Sequence, residues 1–328
     1  MNLIDVTQQF KSDDDCLAYM ESMRWPDGIR CPVCGCDRIS KIQRKSKTYK
    51  RTRIAKNGEA ETKEHSQRTR IYQCLEATCN QQFSATSGTI FHDSRLSLTK
   101  WFMALALIVD AKKSISANQL KEHLGIGSYR TAWFMAHRIR KAMENEYENK
   151  MTGIVELDTT WIGGRYHGPS GLGYAERYSN KDAVFGMKQR GGDVRLVHIQ
   201  NEESKTLAKH IGANVSRDVE LVMTDEFRGF PKAFIEARIH GSKHRTVNHR
   251  KGVYVDGEIT TNGIESVFSL FKRGIIGSYH KVSIKHLHRY LSEFETRFNA
   301  RKAKDRFEPA LRRMLGAEPM PYAELIAE

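Results

Sequence analysis

Apolar positions follow two different periods along the chain, with the change near residue 150. Before it, helical spacing dominates. Residues 12–25 read as a short helix, with Ser12 as N-cap and Asp13, Asp14 and Asp15 where the helix dipole favours acid. Trp25-Pro26-Asp27-Gly28 then stops it with turn chemistry. A strongly apolar helix runs from Leu98 to about Ala111, with Ser97 or Thr99 as cap. Residues 114–125 give a second helix capped by Ser116, with Leu120 and Leu124 facing inward. Gly125 and Gly127 break it, and Ser128 caps a third that ends near Met143. Its core stripe is Ala132, Ala136, Ile139 and Met143. Residues 144–153 are polar and form a linker.

Beyond the linker the runs are short and strand-like: 154–158, 184–188, 194–199 and 219–223. Helices are predicted over 204–215, 227–237, 262–273 and 282–300, with an irregular polar stretch at 246–255. Three strands, a helix, a strand and more helices describe an α/β sheet with a mixed edge.

Composition narrows the class. Lysine and arginine total 53 against 39 acids, a net charge of +14, and a polyanion such as nucleic acid is the natural partner. The longest apolar run, Trp101–Val109, is nine residues, against the roughly 20 of a membrane span. The first 15 residues lack the basic start and apolar core of a secretory signal, so a cytoplasmic location is expected.

All six cysteines lie in the first quarter of the chain. Cys31 and Cys34 are spaced C-x2-C, Cys74 and Cys79 C-x4-C, with 39 residues between the pairs. Two close thiolate pairs suit a tetrahedral structural Zn²⁺, each pair on a hairpin tip. Cys36 is near enough to replace one ligand. Residues 41–70 carry eleven lysines and arginines against three acids, and Lys56-Asn57-Gly58-Glu59 reads as a hairpin turn inside that insert. Arg130, His137, Arg138 and Lys141 lie off the core stripe of the third helix. Helix, glycine turn and basic helix make a helix-turn-helix, with Arg130 and Arg138 as candidate DNA contacts.

Carboxylates mark the second half. Asp158 ends the first strand there, Asp225 follows the fourth, and Glu265 begins a helix whose buried stripe is Ile264, Val267, Phe268 and Phe271. Glu265 and Lys272, seven apart, share the flanking stripe. Three converging carboxylates need a cation to offset their repulsion, and oxygen-only ligands suit Mg²⁺ or Mn²⁺. Two such ions can serve phosphoryl transfer. Basic and hydrogen-bonding residues flank the set: Arg245, Asn248 and His249 on one side, Arg273 on the other.

Several blocks in order carry a family resemblance: RWPDGIRCPVCG at 24–35, FSATSGTIFHDSRLSLTKWFMALALI at 83–108, ELDTTWIGGR at 156–165, TDEFRGF at 224–230 and residues 261–301. Together they resemble the bacterial insertion-sequence transposases that join an N-terminal zinc ribbon to a DDE nuclease domain, the IS1595 family. The resemblance implies a ribonuclease H-like catalytic domain over 151–305, after a zinc ribbon in 1–95 and the helix-turn-helix in 96–150, with 306–328 as a tail. It implies cutting and joining of double-stranded DNA at terminal inverted repeats, with two divalent cations and at least a dimer on DNA in a bacterial cell. Carried over, Asp158, Asp225 and Glu265 are the three acids, and Lys272 is the basic residue that holds a phosphate or base near the scissile bond. Asn262, one turn before Glu265, is the alternative third ligand. Thr159 stands where relatives often carry an acid. Two rival functions remain: a DNA-binding regulator derived from such an enzyme, and a nuclease that does not join ends.

Overall fold

A computed structural model describes residues 1–42, 48–54, 60–66, 70–144, 147–163, 181–247 and 259–327. It divides into two compact units, one of residues 1–109, 121–142 and 305–327, the other of residues 110–120 and 143–304.

In the first unit, helix Asp13–Arg24 starts as expected: Ser12 Oγ accepts from Asp15 N, and the Asp15 side chain returns to Ser12 N. Asp13 has a longer reach. Its Oδ1 accepts from Leu98 N at 2.8 Å and Thr99 N at 3.3 Å, so the cap of helix Leu98–Asp110 comes from a distant acid in place of its own Ser97 or Thr99. The small sheet orders β1 (Ile39–Ile42), β4 (Ile71–Cys74) and β5 (Gln82–Phe83), all antiparallel. The insert pairs β2 (Thr48–Ile54) with β3 (Ala60–Ser66). The expected turn at Lys56–Glu59 lies outside the described residues.

The described part of the expected tail, residues 306–327, is largely helical. Helices Phe307–Gly316 and Tyr322–Ala327 belong to this unit, and the Phe307 ring packs 5.6 Å from Phe102 and 6.1 Å from Phe10. Helix Tyr129–Ala142 buries Ala132, Met135, Ala136 and Ile139, but also His137 and Arg138. The apolar stripe is therefore wider than the sequence suggested.

The second unit is built on a five-stranded sheet in the order β10 (His244–Thr246), β9 (Leu221–Thr224), β6 (Ile154–Gly163), β7 (Lys181–Gln189), β8 (Val194–Ile199). β6, β7 and β8 are antiparallel neighbours, whereas β9 runs parallel to both β6 and β10. β6 runs past Asp158 to Gly163, so Asp158 lies inside the strand rather than at its end. β10 falls just before and within the stretch expected to be irregular.

Alternation along the strands sends side chains to two helix layers. On one face Val155, Leu157, Phe185 and Met187 pack with Leu207, Ile211, Phe230 and Phe234 from helices Ser204–Asn214 and Gly229–Ala237. On the other, Val184, Val194 and Leu196 pack with Ile264, Val267, Phe268 and Phe271 of helix Asn262–Gly274 and with Leu291 and Phe294 of helix Leu287–Asn299. The β8 edge is covered by side chains of that last helix. Asn299 both accepts from Val194 N and donates to Val194 O, each at 2.9 Å, and Glu295 Oε2 accepts from Leu196 N at 3.1 Å. Exposed ladder groups are thus satisfied within the unit.

Helix Asn262–Gly274 lies close on the sheet because Gly186 has no side chain. A Cβ there would stand 2.6 Å from the Phe268 ring and 2.7 Å from Ile264 Cδ1. Gly186→Ala should therefore destabilise this unit by roughly 1–3 kcal/mol, read as a lower denaturant midpoint at unchanged slope. A neutral substitution would contradict the close packing.

Candidate functional site

Two clusters emerge, one in each unit. In the first unit, Cys31, Cys34, Cys74 and Cys79 bring their sulfurs within 4.8 Å of one another. Two turns make this possible. Gly35, at φ +73°, lets its N–H reach Cys31 O, while Cys31 N donates to Cys36 O. In the second turn Cys79 N and Asn80 N both donate to Glu76 O, and Cys74 N donates to Gln81 O. Tyr72, Phe83 and Trp25 pack beneath.

The sulfur separations are 3.7 Å for Cys31–Cys79 and 3.6 Å for Cys34–Cys74. A tetrahedron with Zn–S of about 2.3 Å sets sulfurs about 3.8 Å apart, so the four-cysteine cluster fits structural zinc. Burial opposes the Cys31 thiolate, yet the N–H groups of Cys34 and Val33 outweigh it and bring the thiol down to about 7. The Glu76 N–H favours the Cys74 thiolate, but burial and the adjacent thiols prevail and push that thiol up to about 12. Four thiolates here need a cation between them. Cys36 stands outside the group, its sulfur accepting from Arg38 N at 3.4 Å.

In the second unit the parallel register gathers the carboxylates. The last registered pair of β6 with β9 is Glu156–Met223. Asp158 lies two residues farther along β6, and Asp225 directly follows the end of β9. Thr159 N donates to Asp158 Oδ1 at 2.7 Å, and Phe227 N donates to Asp225 Oδ1 at 3.0 Å. Before Asp225, Thr224 Oγ1 bonds Asp225 O at 2.7 Å and His244 Nε2 at 2.8 Å. Glu265 sits in the first turn of its helix and accepts from Thr261 Oγ1 at 2.7 Å.

Electrostatics links these groups. Burial, then the charge of Asp225, raise the Asp158 carboxyl to about 7, against the pull of the Thr159 N–H. Glu265 and Glu202 add to the rise. Burial lowers the Lys272 ammonium, Asp158 partly restores it, and Lys181 lowers it further. Asp158 is thus within electrostatic reach of Asp225, Glu265 and Lys272. Among the described residues the carboxylates do not close into a ligand cage as tight as the four cysteines.

Three participants were missed. Glu202 precedes a helix, where an acid looks like ordinary dipole compensation. Lys181 looks like a strand end. Glu156 occupies the same strand face as Asp158, two residues away, and that alternation was the available signal. The residue is 2% exposed and its Oε2 accepts from Ile264 N at 2.9 Å, anchoring the helix that carries Glu265.

Of the expected DNA contacts, Arg138 is corrected. It is 5% exposed, donates to His92 O at 2.8 Å, and lies against the rings of Trp101 and Phe134. Burial brings its guanidinium down to about 10. It holds the fold together and is closed to a phosphate. Arg130 is exposed and stacks 4.0 Å from the Tyr322 ring centre. Arg245 and Arg273 are exposed on local backbone carbonyls, and Asn262 is the exposed first residue of its helix. Asn248 and His249 lie outside the described residues.

Family models match a segment of each unit. Residues 11–82 match the family model of the transposase zinc-ribbon domain, and residues 150–299 that of the ISXO2-like transposase domain, both of the IS1595 type. The chain is also 24% identical over 299 residues to an uncharacterized protein in transposable element ISH50 of Halobacterium salinarum, a match covering 88% of this chain and 91% of that relative.

Two outcomes follow from the geometry. Co²⁺-substituted protein should show the intense absorption of a tetrahedral thiolate site, lost in Cys79→Ser and retained in Cys36→Ser. Loss in Cys36→Ser would instead make Cys36 a ligand. The second concerns Asp158, whose pKa is higher in the fold than its ordinary 3.8. It favours the fold fully below that value, and the contribution disappears as pH rises through 7. Metal-free protein should lose on the order of 3 kcal/mol between pH 4 and 7. Asp158→Asn should flatten that slope in thermal melts, and an unchanged slope would disprove the assignment.

Proposed function

The chain belongs to the insertion-sequence transposases of the IS1595 family, and on that basis we propose that it cuts and joins double-stranded DNA at the terminal inverted repeats of its element. The observation that carries this reading is the charge of Asp225, which follows β9, and of Glu265, on a helix anchored to the sheet through Glu156, both acting on Asp158 of the adjacent parallel strand β6. The strand order, three antiparallel strands continued by a parallel fourth and fifth, supports a ribonuclease H-like fold for this unit.

The donor set fits hard divalent cations: it is all oxygen, partly buried and mutually repulsive without positive charge. Asp158, Asp225 and Glu265 would hold two Mg²⁺ or Mn²⁺ ions, with Asn262 the alternative to Glu265. Such ions supply Lewis-acid stabilisation of the phosphoryl and leaving oxygens. The protein does the positioning. Thr159 N–H fixes one oxygen of Asp158, and Thr261 Oγ1 fixes one of Glu265. Lys272, in the field of Asp158, offers its ammonium to a phosphate beside the scissile bond. The reaction breaks one phosphorus–oxygen bond as another forms in line. The attacking oxygen is first that of water, which leaves a 3′-hydroxyl, and then that hydroxyl itself on target DNA.

Affinity for DNA comes from the net +14 charge, with Arg130, Arg245, Asn248, His249, Asn262 and Arg273 as the nominated contacts and the zinc ribbon as a further DNA-binding element. The helices Leu98–Asp110, Ala117–His123 and Tyr129–Ala142 serve as a helix-turn-helix segment, though without Arg138 as a reading residue. Pairing two DNA ends calls for at least a dimer on DNA. The cytoplasm of a bacterial cell, at the nucleoid, is where such a reaction takes place. No helix among the described residues is long and apolar enough to cross a membrane.

Purified protein, Mg²⁺ and duplexes carrying the flanking repeats test the proposal. Cleaved and joined products should form and should fall at least 10³-fold in Asp225→Ala, as for loss of a group that holds the metal. Cleavage without joining would make the protein a nuclease. Repeat-specific binding by zinc-loaded protein with neither product would make it a regulator.

A further inference from the structure

Glu202 follows β8 in the turn that leads into helix Ser204–Asn214. It is half-buried, and its Oε1 accepts a short hydrogen bond from Thr159 Oγ1. Thr159 is the residue beside Asp158 and also supplies the N–H that holds Asp158 Oδ1. One residue thus ties the two carboxylates together, through its backbone to Asp158 and through its hydroxyl to Glu202.

The turn itself is pinned. Asn201 Oδ1 accepts from Glu203 N at 3.2 Å and Thr206 Oγ1 at 2.6 Å. Ser204 Oγ donates to Gly229 O at 3.1 Å, at the start of the helix that follows Asp225. The turn that carries Glu202 is therefore tied both within itself and to the start of the helix that follows Asp225. A carboxylate on a mobile side chain would swing toward solvent to escape that repulsion, whereas this one is held against it.

We propose that Glu202 is a positioning residue of the carboxylate site: held by Thr159, it fixes the Asp158 segment and adds the negative charge that strengthens divalent-cation binding. This rests on the metal-site reading above.

Mn²⁺ binding to the full-length protein without DNA, followed by the electron paramagnetic resonance signal of free Mn²⁺, tests it. Glu202→Gln should weaken Mn²⁺ affinity about tenfold, as expected for a partner behind the ligands, while raising the metal-free melting temperature by relieving repulsion. Thr159→Val should weaken affinity in the same direction, and Thr159→Ser should restore it. Glu203→Gln, on the exposed neighbour, should bind as wild type. Wild-type affinity in Glu202→Gln, with binding lost in Asp225→Asn, would overturn the role of Glu202 alone. Undiminished binding in Asp225→Asn would overturn the metal-site reading and this inference with it. Equal weakening in Glu203→Gln would overturn the inference by tracing the effect to overall charge.

Discussion

The second unit depends on one close approach, that of helix Asn262–Gly274 to the strands beneath it. Two glycines permit it. Gly186 leaves room for Phe268 and Ile264, and at Gly263 a Cβ would stand 2.4 Å from Glu156 Oε2. The contact is then fastened by Glu156, a buried carboxylate at the positive end of the helix, where it meets an unpaired N–H of the first turn. Arg190 reaches the other oxygen at 3.4 Å. Because Ile264 is the residue before Glu265, the depth and rotation of Glu265 follow from that bond. Glu156 touches none of the reacting atoms in this account, yet the site's third acid is placed by it.

The same arrangement concentrates like charge. Asp158 pays for its position in an elevated pKa, with Asp225, Glu265 and Glu202 all contributing. A fold selected for stability alone would have no reason to bring these acids to one edge. Local rules yield where function requires it, and the compensation lies in small polar ties: Thr159 N–H to Asp158, Thr261 hydroxyl to Glu265, Thr224 between Asp225 and His244. The first two hold a carboxylate oxygen, and the third holds the main chain of Asp225.

Much of this was legible in the sequence, and the gaps have physical causes. The Cys31–Cys34 and Cys74–Cys79 pairs announce themselves because ligand spacing is local and the turn chemistry beside it is explicit. Glu265 and Lys272 could be read from helical periodicity, since Ile264, Val267, Phe268 and Phe271 fix the rotation of the helix. Asp158 and Asp225 were visible as acids after β-rich runs, but the length of β6 was not. Its pairing with β7 continues to Gly163 and depends on partners 18 to 26 residues away. Glu202 and the Asp13 cap of helix Leu98–Asp110 are long-range hydrogen bonds with no local pattern. Arg138 shows the opposite failure. A basic residue beside an apolar stripe reads as surface, but the stacking of Trp101 and Phe134 and the carbonyl of His92 draw it inward.

The most direct test of the central claim is an anomalous-scattering map from crystals of the full-length protein grown with Mn²⁺. The account predicts a manganese peak ringed by the carboxylates of Asp158 and Asp225, with Glu265 at its edge and Glu156 still bonded to Ile264 N. Manganese bound elsewhere, with Glu265 turned away from both aspartates, would contradict it.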